Sequence, residues 1–294
     1  MTSMGYLFAL ITSVFFTAYT IPKKLSRITT ARYSLFQAIG FFGCSLIAYL
    51  IHCAVRGAGA EPLTDIRLLY SALSGVAWFF GCVFFFQAID EMGLSRSNQW
   101  KNLQGPLGAI FNLLFLAEYR QTNVLFILLS CAAILLSAVF LNVRRDEEKK
   151  GSHKGILFAL LAAVLFGINS MLLKQGTNFG FVYSQQVVLS GMVFISSVIY
   201  LPLRERKRAH LPDKKGCLLG VLGGILFFAA SSFSLQSYNL LPGSITFTII
   251  QLNSVWTVLV GVLIFREIDF RKNWQRITAG LVCAVVGIIL LLFA

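Results

Sequence analysis

Stretches of about 20 apolar residues, separated by short charged or Pro/Gly-containing connectors, recur along the whole 294-residue chain. An α-helix needs roughly that many residues to cross a hydrocarbon core about 30 Å thick. In lipid each spanning segment must also satisfy its own backbone hydrogen-bonding groups, which selects helices. The runs place predicted spans at 4–22, 34–55, 68–89, 96–116, 122–142, 154–173, 180–201, 216–236, 243–265 and 274–293. Ten such spans leave no room for a sizeable soluble domain. Composition agrees, because 13% charged residues is about half the roughly 25% of a soluble domain. The expected fold is an all-α integral membrane protein of ten transmembrane helices. The N-terminal run has no basic residue before it, unlike a secretory signal, and is expected to remain as a membrane helix.

The formal charge of +13 raises nucleic acid as a partner, but the cations sit in short connectors and not along one polar face. Membrane sidedness explains them better. The connectors after the odd-numbered spans hold twenty of the 25 Lys and Arg residues, including Lys23, Arg32, Arg144, Arg204 and Arg271. The opposite side, with both termini, holds only Arg56, Arg67, Arg120 and Lys174, and Lys101 falls inside span four. By the positive-inside rule the odd-numbered connectors are cytoplasmic and both termini outside.

The two halves of the chain resemble each other. Gly5-Tyr-Leu-Phe-Ala-Leu10 matches Gly155-Ile-Leu-Phe-Ala-Leu160 at an offset of 150 residues. At an offset of 149, Gln87 recurs as Gln236, Ser95 as Ser244 and Glu118 as Glu267, and the amides Asn102 and Gln251 correspond. Five helices is an odd number, so the second half enters the bilayer the opposite way round. The expected organisation is an N-terminal five-helix repeat over 1–145, a charged linker over 146–153 and a C-terminal five-helix repeat over 154–294. Inverted repeats of this kind place a substrate near the bilayer midplane and give alternating access by rocking.

The basic end of the first helix in each half, and the acidic residue closing the fourth (Leu116-Ala-Glu118 and Ile264-Phe-Arg-Glu267), resemble the EamA-like family of the drug/metabolite transporter superfamily. The resemblance covers essentially the whole chain and speaks more to fold than to substrate. It implies carriage of an amino acid, a sugar, a nucleotide sugar, a phosphorylated metabolite or a drug, with the bacterial sugar-uptake branch as a plausible relative. The small multidrug antiporters of that superfamily use a glutamate in the middle of the first helix, whereas Ser13-Val-Phe-Phe-Thr-Ala-Tyr19 here has no acid.

Polar side chains are costly in a bilayer, so dense sets of them point to a cavity or to interhelical bonds. Span four carries Asn98, Gln99, Lys101, Asn102, Gln104 and Asn112; Asn98, Asn102 and Asn112 share a helical face with Lys101 beside it. Pro106 lacks a backbone N–H and should free the carbonyl of Asn102 for a ligand or water. Span nine offers Thr246, Gln251, Asn253, Trp256 and Thr257. Amides and hydroxyls beside Trp100 and Trp256 suit a neutral polyol, whereas Lys101 suits a carboxylate or phosphate. Secondary candidates are Gln87, Gln236, Asn169, Ser170, Tyr19, Gln185 and Gln186. Trp78 and Trp274 are expected to mark the membrane interface. Lys24 and Lys174 are read as snorkelling residues or anion attractors at the cavity mouths. The spacing Gly216-x-x-x-Gly220-x-x-x-Gly224 predicts close helix packing.

Cys44, Cys53, Cys82, Cys131, Cys217 and Cys283 have neither Cys-x-x-Cys spacing nor a partnering His, so they are read as small buried hydrophobes. The carboxylates all lie at span ends or in connectors, so a buried proton carrier is missing and facilitated diffusion or exchange is favoured. No phosphate-binding Gly-Lys-Ser/Thr loop occurs, and the three His residues are scattered, so neither ATP hydrolysis nor another enzyme activity is expected. No cofactor is implied. The expectation is a transporter of a small polar metabolite, sugar-like, with an anionic metabolite exchanger and a non-transporting membrane partner protein as alternatives. The partners are the small-molecule substrate and the lipid bilayer, with monomer or homodimer left open.

Overall fold

A computed structural model describes residues 2–92, 97, 100–141, 153–205, 213–263 and 270–294. These residues are helical with no strand among them. The helices are α1 (Thr2–Ala18), α2 (Thr20–Leu25), α3 (Thr30–Arg56), α4 (Leu69–Met92), α5 (Gln104–Phe115), α6 (Val124–Leu141), α7 (His153–Thr177), α8 (Tyr183–Arg204), α9 (Lys214–Leu240), α10 (Gly243–Ile250), α11 (Asn253–Leu263) and α12 (Phe270–Leu291). Seven helical stretches among the described residues are long and apolar enough to cross a membrane: Ser3–Lys23, Thr30–Arg56, Ile66–Ala88, His153–Thr177, Tyr183–Arg204, Lys214–Leu240 and Asn273–Leu291. The other apolar helices, α5, α6, α10 and α11, are shorter.

Several helices begin earlier than their apolar runs because polar side chains cap them. The Thr29 hydroxyl accepts from the backbone N–H of Arg32 and starts α3, and the Asp213 carboxylate accepts from Lys215 and Gly216 and starts α9. Pro22 explains the break between α1 and α2. It cannot donate to the carbonyl of Ala18, and the chain turns at Tyr19.

The exterior is apolar, with Val55 78% exposed and Leu218 71% exposed. The interior instead holds buried Ser, Thr, Asn and Gln residues such as Thr12, Ser74, Asn112, Gln185 and Thr246. A water-soluble protein would arrange these classes the other way round, so the surface is built for lipid.

Packing runs between the two halves of the chain. α4 lies against α7 and α8, α3 against α8 and α9, α1 against α9 and α10, α5 against α7 and α10, and α6 against α12. Glycine permits the closest crossings. A side chain at Gly224 of α9 would collide with the Gln37 carbonyl of α3, and one at Gly75 of α4 would collide with the Leu189 carbonyl of α8. The Gly216, Gly220 and Gly224 stripe receives α3 and the segment before it: Ile28 of that segment and Phe36 and Gln37 of α3 fill the positions opposite. The close approach at Gly224 fixes where Gln37 stands.

Candidate functional site

A cavity opens between the first half of α3 and the middle of α4, α8 and α9. Half of its wall is aromatic: Phe41, Trp78, Phe79, Phe86 and Phe227. Phe227 of α9 sits at the centre, with its ring 4.5 Å from Trp78, 4.7 Å from Phe41 and 5.1 Å from Tyr19, centroid to centroid. The last two pairs meet edge to face, which holds the rings in defined orientations. Gln37 and Ser34 on α3 and Cys82 on α4 supply the polar lining; no charged side chain lines the cavity itself among the described residues, while the Lys23 ammonium lies 5.9 Å from the ring centre of Phe86 in its wall. The Gln37 side chain is buried, and its amide nitrogen Nε2 has no hydrogen-bond partner among them. The enclosed space is about 10 Å3, room for one water. The space as it stands is too small for a larger molecule.

Trp78 was expected at the membrane interface, and the structure corrects this. It is 8% exposed and packs on Phe227 inside the bundle. Its depth explains why. Ten residues into the predicted span 68–89, it lies about 15 Å from the end at 1.5 Å per residue, half the thickness of the core. Trp274, by contrast, is 52% exposed. Gln37 carried no strong signal, because the apolar run begins close to it whereas the capped helix begins at Thr30.

The amide-rich segments meet behind this cavity. Gln104 Nε2 donates to Gln251 Oε1 at 2.9 Å, and Gln251 Nε2 donates to the Phe247 carbonyl at 3.3 Å. The chain turns at Asn102–Leu103 before α5 and at Gln251–Leu252 between α10 and α11. The carbonyl of Asn102 is not freed by Pro106 as expected. It accepts from the N–H of Gly105 at 3.2 Å, because the chain tightens into a turn there. Asn102 faces a second small space beside α6, shared with Thr248 and Gln251.

Most of the remaining predicted residues are engaged in interhelical bonds. Asn112 Nδ2 donates to Ser170 Oγ at 3.0 Å, and that hydroxyl lies 2.9 Å from the Tyr238 hydroxyl. Asn169 Oδ1 accepts from Ser74 at 2.7 Å, and the Thr246 hydroxyl lies 3.2 Å from that of Ser237. The Trp256 indole donates to Ser13 at 2.8 Å, and Thr17 joins the Asn253 carbonyl and Thr257. Gln185 donates to the Leu173 carbonyl, and Gln186 accepts from Ser231. Gln87 and Gln236 are partly buried in α4 and α9. The Lys101 ammonium lies 4.9 Å from the centre of the Phe85 ring. Asn98 lies outside the described residues.

Two charged residues seen in the sequence act on helix ends. The Glu118 carboxylate accepts from Gly243 N at 2.6 Å, Ser244 N at 2.9 Å and the Ser244 hydroxyl at 2.7 Å, capping α10. The Lys174 ammonium donates to the carbonyls of Tyr238 at 2.6 Å and Leu241 at 2.9 Å, capping the end of α9. Lys174 is therefore neither a snorkelling residue nor an anion attractor in this state; its donors are taken up by backbone carbonyls.

The sugar transport protein family matches residues 42–294. A Staphylococcus epidermidis protein named for ribose uptake, RbsU, is 25% identical over 264 residues, covering 88% of this chain and 86% of its own. A Streptococcus pyogenes serotype M1 protein named for sugar uptake is 23% identical over 270 residues, covering 87% and 88%. A Bacillus cereus protein named for glucose uptake, GlcU, is 22% identical over 267 residues, covering 84% of each. One solved crystal structure superposes with a TM-score of 0.75 over 98% of this chain and 96% of its own at 15% identity, a likeness of fold alone. With its apolar exterior and long apolar helices, the chain is a multi-pass membrane protein and belongs to the sugar transport protein family.

Proposed function

We propose that the protein carries a neutral sugar across the membrane by alternating access, through the cavity between α3, α4, α8 and α9. The observation that carries this reading is the lining itself: Trp78, Phe41 and Phe227 around an uncharged polar edge of Gln37 and Ser34. Aromatic faces pack on the C–H surface of a sugar ring while amide and hydroxyl groups bond its hydroxyls. The relatives named for ribose, sugar and glucose uptake support the same substrate class.

The mechanism rests on ten spans in two inverted repeats, 1–145 and 154–294, joined by the linker 146–153, an organisation resembling the EamA-like drug/metabolite transporters. Three features support it. The turns at Asn102–Leu103 and Gln251–Leu252 stand 149 positions apart (251 − 102), as do the crossing glycines Gly75 and Gly224 (224 − 75). Packing partners exchange under the same swap, α4 with α7 matching α9 with α1, and α3 with α9 matching α8 with α4. Glu118, Gly243, Lys174 and both chain termini gather at one end, where Ser237 bonds Gly5 and Asn123 bonds Ala294. That is the end assigned to the outside by the charge bias. In this arrangement the amides of spans four and nine, Gln104 and Gln251 foremost, form the joint against which the two halves rock.

Purified protein in liposomes tests the reading. Saturable counterflow of labelled glucose or ribose, competed by unlabelled neutral sugars, is expected. Movement of sugar phosphates or organic acids alone would transfer the substrate role to Lys101, and movement of none would overturn the transporter reading.

A further inference from the structure

We infer that Gln37 is the residue that reads one hydroxyl of the sugar, with Trp78 as the face on which the ring stacks; the inference rests on the sugar-carrier reading above. Gln37 is 7% exposed, lines the cavity, and leaves Nε2 unpartnered. A buried donor of this kind is rare in a finished core, because it gives up its bonds to water and receives nothing in return. Gln104 with Gln251 and Asn169 with Ser74 solve that problem internally; Gln186 Nε2 is also buried without a partner, but of these two amide nitrogens Gln37 Nε2 is the one whose residue lines the cavity. Gln37 is also held in place. α9 approaches α3 so closely at Gly224 that a methyl group there would meet the Gln37 carbonyl, so the backbone under the amide is fixed.

The chemistry around the amide narrows the ligand. No charged side chain lines the cavity itself among the described residues, and the Lys23 ammonium reaches its wall only over the ring of Phe86, so the lining favours a neutral ligand over a phosphate or a carboxylate. What it offers is an N–H donor, the Ser34 hydroxyl one turn away on the same face of α3, and Trp78 across the space on α4. An aldose ring matches all three: an oxygen acceptor for Nε2, a second hydroxyl for Ser34 and an apolar C–H face for the indole. Gln37 and Trp78 thus determine specificity by contact with the substrate.

The test is a cycle between protein and substrate. Proteoliposome uptake of glucose and of its monodeoxy analogues is measured for the wild type, Gln37→Met and Gln37→Leu, both of which remove the donor. In the wild type, one analogue is expected to show a KM raised about tenfold or more while the others change little. In both Gln37 variants the parent sugar suffers that same rise, and the one analogue suffers no further loss. Trp78→Leu raises KM for all the sugars together. If the Gln37 variants penalise every analogue equally, or leave KM unchanged while the wild type transports glucose, the inference fails and the sugar-carrier reading stands. If the wild type moves no neutral sugar, both fall.

Discussion

Glu118→Ala is expected to cause a large loss of stability, and the structure gives its size. The carboxylate is 6% exposed and takes three hydrogen bonds at the start of α10, two of them from the backbone N–H groups of Gly243 and Ser244. A buried donor left unpaired costs about 1–3 kcal/mol. Two such donors, with the favourable charge at the helix N-terminus also gone, give a loss of about 3–5 kcal/mol. At about 2–4 °C per kcal/mol for a protein of this size, the midpoint of unfolding falls by about 6–20 °C. Glu118→Gln keeps one acceptor oxygen and should lose about half as much. The measurement is heating of detergent-purified protein, followed by the surviving monodisperse gel-filtration peak. A Glu118→Ala protein that melts within about 2 °C of the wild type would refute the reasoning, since no arrangement that keeps two buried N–H groups unpaired is that mild.

Ala117 precedes this carboxylate with φ of 54°, in the left-handed region; Ala117→Gly should raise the melting midpoint by about 2–4 °C in the same assay, as relief of about 1 kcal/mol of strain implies, and a lowered midpoint would contradict the strain. Gly224→Val drives a side chain into the Gln37 carbonyl, so monodisperse protein should be largely lost, whereas Gly59→Val, at a position with nothing within 4 Å, should be tolerated; equal yields would count against the α3–α9 crossing. Glu205→Gln weakens the ion pair with Arg32, now 2.5 Å, between the start of α3 and the end of α8, and Cys82 in the cavity wall should then react faster with a membrane-impermeant maleimide from that side in a background lacking the other cysteines. An unchanged rate would show that the pair does not hold the cavity closed.

Seven of the expected spans were legible as long apolar helices, because a bilayer imposes length and apolarity on each of them, and these are properties of composition that need no tertiary knowledge. Helix starts were less so. At α3 and α9 the caps Thr29 and Asp213 carry the helix back into basic connectors that an apolar count ends. The polar residues were found, but their role was not readable from a single helix. Whether Asn112 faces a substrate or Ser170 depends on which helix lies opposite, and that contact spans 58 residues of sequence. The cavity went unseen for a related reason. Its wall is Phe and Trp, which in a chain rich in both look like lipid-facing bulk, and its amide, Gln37, stands alone in its span. Depth was the one usable clue, since a Trp at mid-span cannot reach either headgroup layer.

The same contacts imply an order of opening. At the end holding both termini, closure rests on Glu118 and Lys174, whose bonds to backbone groups are buried or partly buried, and on Glu61, which accepts from the N–H groups of Val182 and Ser184 at the start of α8. Breaking such bonds in a dry interior leaves helix ends without partners, at about 1–3 kcal/mol for each group. At the opposite end, the contact described between α3 and α8 includes the pair of Arg32 and Glu205, with Thr29 also donating to that carboxylate. Here side chains with 18% and 11% of their surface open to solvent can exchange each other for water, and no backbone group is stranded. Among the described residues, the contact of α8 with α3 at Arg32 therefore parts at lower cost than its contact with Glu61 at the other end. On the proposed mechanism and sidedness that contact faces the cytoplasm, and its lower cost favours opening of α8 from α3 on the inward side, the direction that uptake requires.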